Sequence, residues 1–69
     1  MVEVFITNVR KASHAKALEA LLLQHFPESS INFDLDDCDK ILRIEGGNFL
    51  TEKVEVLVKE SGFMCEVLE

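Results

Sequence analysis

Apolar and polar residues alternate over the first seven positions. Val2, Val4 and Ile6 share one parity and Glu3, Phe5 and Thr7 the other. This period of two predicts a half-buried strand with the three aliphatic residues inward. Residues 8–11 break the alternation. Over residues 14–26 the apolar positions recur at helical spacing: Ala15, Leu18, Leu22 and Phe26, widened by Leu21. Ser13 is placed to cap this helix, its Ala, Leu, Lys and Glu content favours it, and Pro27 stops it. Ile31, Phe33 and Leu35 then alternate with Asn32 and Asp34, which reads as a second strand. Asp36, Asp37, Cys38 and Asp39 form a turn, because Asp tolerates turn conformations and bonds its own backbone. Leu42 and Ile44 face inward between Ile41, Arg43 and Glu45 in a third strand. The short connection makes the pair an antiparallel hairpin. After the breaker Gly46, Gly47 and Asn48, a stripe of Leu50, Val54, Leu57 and Val58 predicts a second helix. Gly62 is placed to cap its end. Phe63, Cys65 and Val67 alternate with Met64, Glu66 and Leu68 as a last strand.

The order is β-α-β-β-α-β, read as one domain spanning residues 1–69. It predicts an α+β ferredoxin-like sandwich, a four-stranded antiparallel sheet with both helices on one face. Right-handed crossovers leave few competing topologies. A strand order of 4-1-3-2 would leave the other sheet face open. On the parity above, that face carries Phe5, Ile41, Met64 and Leu68 among Glu3, Thr7, Asn32, Asp34, Arg43, Glu45 and Glu66. Such a patch rimmed by charge is expected of a protein-binding or homodimer surface.

A chain of 69 residues buries only about 60% of its unfolded surface, so its core is thin. The hydrophobic content of 48% and the scarcity of Gly and Pro offset this. Thirteen Asp and Glu stand against seven Lys and Arg, a net charge of −6. That field repels phosphate backbones, so nucleic acid is not an expected partner. No apolar run approaches the ~20 residues of a membrane span, and the alternating N-terminus does not read as a signal peptide. Two cysteines, Cys38 and Cys65, make no disulfide framework, and a cytoplasmic location is expected.

Some local patterns resemble the heavy-metal-associated domain family of copper chaperones and metal-ATPase modules. The stretch Leu18, Glu19, Ala20, Leu21 and Leu22 is similar to the family's first helix, and Val58 to Phe63 is similar to its Ile-x-x-x-Gly-Tyr ending. The family opens that first helix with Gly-Met-x-Cys-x-x-Cys. Here Val9 stands at the Met, Lys11 at the first Cys and His14 at the second. The resemblance implies the sandwich fold, but the metal role it implies reaches His14 alone. A soft ion selects thiolates, and Lys11 has no lone pair at neutral pH.

Other chemistry is sparse. The first strand-to-helix loop, the hairpin turn and the second helix-to-strand turn are expected along one edge. They bring Lys11, His14, Asp36, Asp37, Cys38, Asp39 and Met64 into one region, where His14 and Cys38 are the candidate metal ligands. Zinc accepts His, Cys and carboxylate, although an acidic turn is more often a solvated turn. Cys65 falls on the inward face, where Cys acts as a small hydrophobe. His25 complements the C-terminal end of the first helix. Gly46 and Gly47 lack the remaining glycines and the Lys of a phosphate cradle. No catalytic constellation is readable, so neither an enzyme nor a cofactor is expected. The expected function is a protein-interaction module, the alternative a copper or zinc carrier or sensor with noncanonical ligands.

Overall fold

The computed structural model describes residues 1–68. It contains β1 (Val2–Thr7), α1 (Ala12–His25), β2 (Ser30–Asp34), β3 (Ile41–Glu45), α2 (Thr51–Glu60) and β4 (Cys65–Val67). The strands form one sheet in the order β2-β3-β1-β4, and every neighbouring pair is antiparallel. This is the α+β ferredoxin-like arrangement that the element order predicts. Buried residues of both helices join a single cluster with the inward residues of β1, β3 and β4. Among the described residues, no helix is long and apolar enough to cross a membrane.

The register corrects the parity expected for β1. Phe5 lies opposite Leu42 on β3 and Val67 on β4, and Leu42 lies opposite Phe33 on β2. Residues directly opposite each other share a sheet face. Phe33, Leu42, Phe5 and Val67 therefore form one apolar row across all four strands, beneath the helices. Phe5 is fully buried and does not belong to the open face. A one-residue change of parity moves every side chain of a strand to the other face, so Val2, Val4 and Ile6 point away from the core.

Size and continuation explain the choice. Fully burying a Phe contributes about 1.5–3 kcal/mol, and the same inward parity runs on to Val9, also fully buried. The two polar residues that parity brings inward both find partners. Thr7 donates its hydroxyl to the Lys40 carbonyl and accepts the Val9 N–H at 3.2 Å. Glu3 accepts a hydrogen bond from the Thr51 hydroxyl at 3.4 Å. Buried polar groups are tolerated when satisfied in this way.

The helices depart from expectation only at their ends. α1 buries Ala15, Leu18 and Leu22, with Phe26 buried just beyond its end. Lys11 is its N-cap and makes no side-chain capping bond, so Ser13 lies inside the first turn and does not cap it. α2 buries Val54 and Val58, whereas Leu50 is its N-cap and 66% exposed. Leu50 thus leaves the expected stripe and Phe49 takes its place, edge-on to Phe26 with ring centroids 6.3 Å apart.

Gly62 ends α2 as expected, by a specific device. Its φ is +97°, its N–H bonds the Lys59 carbonyl at 3.0 Å, and the Phe63 N–H bonds the Val58 carbonyl at 3.3 Å. These two bonds make a Schellman motif, and Phe63 packs against the core cluster. The Val58 to Phe63 pattern is therefore helix-termination chemistry. Consequently β4 starts only at Cys65, shorter than the alternation suggests. Gly47, at φ +69°, closes the turn after β3, where an added Cβ would sit 3.2 Å from the Glu28 Cβ. The glycine pair serves this close approach between two turns.

Candidate interaction face and loop edge

The corrected parity makes the helix-free face more apolar than the sequence reading allows. Ile6 lies opposite Ile41 on one side and Glu66 on the other, and Ile41 lies opposite Asp34. One row of the open face therefore reads Asp34, Ile41, Ile6, Glu66. In the next row Asn32 faces Arg43 and Arg43 faces Val4. Leu68, whose N–H bonds the Val4 carbonyl at 2.8 Å, extends that row on the β4 side. A third row holds Ser30, Glu45 and Val2.

Of the expected surface residues, Ile41 sits half-buried at the centre, while Met64 and Leu68 are exposed at the β4 border. Phe5 is replaced there by Val4 and Ile6, both half-buried by their neighbours alone. A depression of about 190 Å³ beside this row is lined by Asn32, Phe33, Asp34, Ile41 and Arg43. Val4 and Ile6 escape the alternation because three aliphatics share their parity, against a single Phe5 between Glu3 and Thr7 on the other. The available signal was that Phe5 and Val9 fall on the same parity, and both are fully buried.

The three loops do meet along one edge. The Thr7 N–H bonds the Asp39 carbonyl at 3.2 Å, and the Met64 N–H bonds the Asn8 side-chain oxygen at 2.8 Å. The candidate ligands do not gather as a set, however. Ligand atoms of Asp37, Cys38 and Asp39 lie within 4.8 Å of one another, and His14 is not among them. The His14 ring instead tilts against Phe63, with centroids 5.3 Å apart.

The hairpin turn has an internal explanation. Asp37 accepts the Asp39 N–H on its carboxylate at 2.8 Å, Lys40 adopts φ +48°, and the Lys40 ammonium bonds the Leu35 carbonyl at 2.9 Å. Asp in such a position organises the backbone of a turn. Lys11 and His14 do not fit a soft metal ion, which takes paired thiolates.

A second concavity, about 490 Å³, runs between α1 and the free edge of β2, lined by Lys16, Glu19, Ala20, Leu23, Ser29, Ser30 and Ile31. It holds one Lys, one Glu and two Ser, and the Ser29 hydroxyl is donated to the Gly46 carbonyl at 2.8 Å. Cys65, by contrast, is a nucleophile placed out of reach, fully buried beside Thr7 on the inward face. Burial pushes its thiol up to about 12, with Glu55 and Glu66 adding to the rise and Lys59 opposing it.

A raised thiol pKa favours the neutral form in the folded state. The unfolded chain ionises this group from about pH 9, so its contribution to stability is intact below that pH and declines between pH 9 and 12. The decline is at most about 1.4 kcal/mol per pH unit. Denaturant midpoints at pH 8 and 10.5 should fall further apart for the native chain than for Cys65→Val. Iodoacetamide should label Cys38 alone in the folded protein. Rapid labelling of Cys65 without denaturant would show that the thiol is reachable.

Comparisons with protein-family models, curated proteins and solved structures found no match for this chain.

Proposed function

We propose that this chain is a protein-interaction domain resembling the heavy-metal-associated type, with the helix-free sheet face as its working surface and no catalysis of its own. One observation carries the reading. The central strand β1 presents Phe5 to the core and Val2, Val4 and Ile6 to a face that no helix covers. An apolar column of this kind, rimmed by polar and charged residues, is the surface expected of a binding site. The loop edge supports the same reading by subtraction, because Lys11 and His14 stand where the resembled family binds its metal.

Metal carriage is the second reading, and the closeness of Asp37, Cys38 and Asp39 is the observation in its favour. Those groups lie in a turn whose hydrogen bonds already account for their placement, so the sheet face is preferred. A photo-crosslinking residue placed at Ile41, with one at the exposed helix position Val56 as control, tests the proposal in the cells that make the protein. Discrete adducts from Ile41 and none from Val56 are expected. Equal or absent adducts from both positions would contradict it.

A further inference from the structure

Resting on that reading, we infer that the occupant of the open face is a basic protein segment presenting an apolar side chain between two cations. The row Asp34, Ile41, Ile6, Glu66 carries this. Its two carboxylates are both exposed and bracket an apolar pair. They stand on the two outermost strands, three strand spacings apart, which is about 14 Å at ~4.8 Å per spacing. An extended segment repeats its side chains on one face every second residue, so residues i and i+4 also stand about 14 Å apart with i+2 between them. A segment with Lys or Arg at i and i+4 and a large apolar residue at i+2 therefore matches the row in both length and charge.

The surrounding field agrees. Arg43 is the only basic residue in the four strands and lies one row away, next to Val4. Beyond Asp34 the hairpin turn adds Asp36, Asp37 and Asp39, while the neighbouring Lys40 ammonium is occupied by the Leu35 carbonyl. A second copy of this chain fits less well. Stacking two such faces would bring Asp34 and Glu66 of both copies together as they lose water, with −6 on each chain. Like charges brought together at an interface select against that partner.

The test uses the ¹⁵N-labelled chain and two β-hairpin peptides that share a central Leu. One carries Lys at the two flanking positions and the other carries Glu. The Lys peptide should shift the amide signals of Val4, Ile6, Ile41, Glu66 and Leu68. It should bind about tenfold tighter than the Glu peptide and weaken markedly between about 20 and 300 mM salt, as screened charge pairs do. The double variant Asp34→Asn and Glu66→Gln, which leaves the core untouched, should erase the preference. Equal binding of both peptides at this face, or concentration-dependent shifts there without peptide, would overturn the cationic occupant while leaving the face as a binding surface. Shifts confined to residues 36–39 would overturn it as well. If neither peptide perturbs the face, this inference falls, while the crosslinks from Ile41 and Val56 decide the interaction reading separately.

Discussion

Phe5→Ala should destabilise the domain by about 3–5 kcal/mol, the range for emptying a buried Phe site. Phe5 is fully buried in the row with Phe33, Leu42 and Val67, on one of the two strands paired at both edges. A chain of this length has roughly 3–10 kcal/mol of stability in total, so the variant should be largely unfolded or close to it. Urea denaturation measures this directly, and Phe5→Leu should retain more of the stability because most of the volume stays filled. The alternation of β1 taken alone predicts the opposite, a fold that tolerates Phe5→Ala with little change. That outcome would return Phe5 to the open face and overturn the register.

Converting Lys11 and His14 together to Cys should change Cu(I) affinity by orders of magnitude. Lys11 is the N-cap of α1 and His14 its third residue. The N-cap and N3 side chains both sit over the first turn of a helix, so thiols at these two positions share one end of α1. Thiols at a helix N-terminus ionise more readily, and a pair of thiolates is the ligand set that selects Cu(I). The variant should hold one Cu(I) against a competing chelator under reducing conditions, whereas the native chain should lose that competition. Stoichiometric Cu(I) binding by the native chain would instead point to Cys38 or Met64 as a ligand and favour metal carriage. Failure of the variant to bind would count against the resemblance at this loop.

These two expectations mark what was legible in the sequence. β3 and β4 alternate without ambiguity, so Leu42, Ile44 and Cys65 inward and Ile41 and Glu66 outward follow from their spacing alone. Gly62 was legible because a helix needs a left-handed residue to turn back its chain, and glycine supplies it at least cost. β1 was not legible in the same way. Three aliphatics on one parity outnumber a single Phe on the other, but the larger ring and the continuation through Val9 decide which side faces the helices. The inward Thr7 and Glu3 hid that parity, because the partners that satisfy them, the Lys40 carbonyl and Thr51, are distant in sequence.

The ends of the helices were obscured for a related reason. Ser13 has the chemistry of a cap, yet the first helical residue is Ala12, so the hydroxyl arrives too late to serve it. Leu50 fits a stripe by spacing, yet it sits at the cap where the chain has not begun to coil. At the site, Ile41, Met64 and Leu68 were readable from their own strands, while Val4 and Ile6 emerged only once the register placed them beside Ile41. The meeting of His14 with Cys38 that a zinc site would need depended on side-chain direction, and His14 turned to Phe63.

The central proposal, that Ile6 faces a partner rather than the core, is tested most directly by introducing Ile6→Lys, which stands opposite Glu66, into the chain crosslinked from Ile41. The Ile41 adduct should disappear while the chain stays folded, with a loss of about 1 kcal/mol set by strand propensity, well short of that expected for Phe5→Ala. An undiminished adduct in a folded Ile6→Lys chain would contradict it.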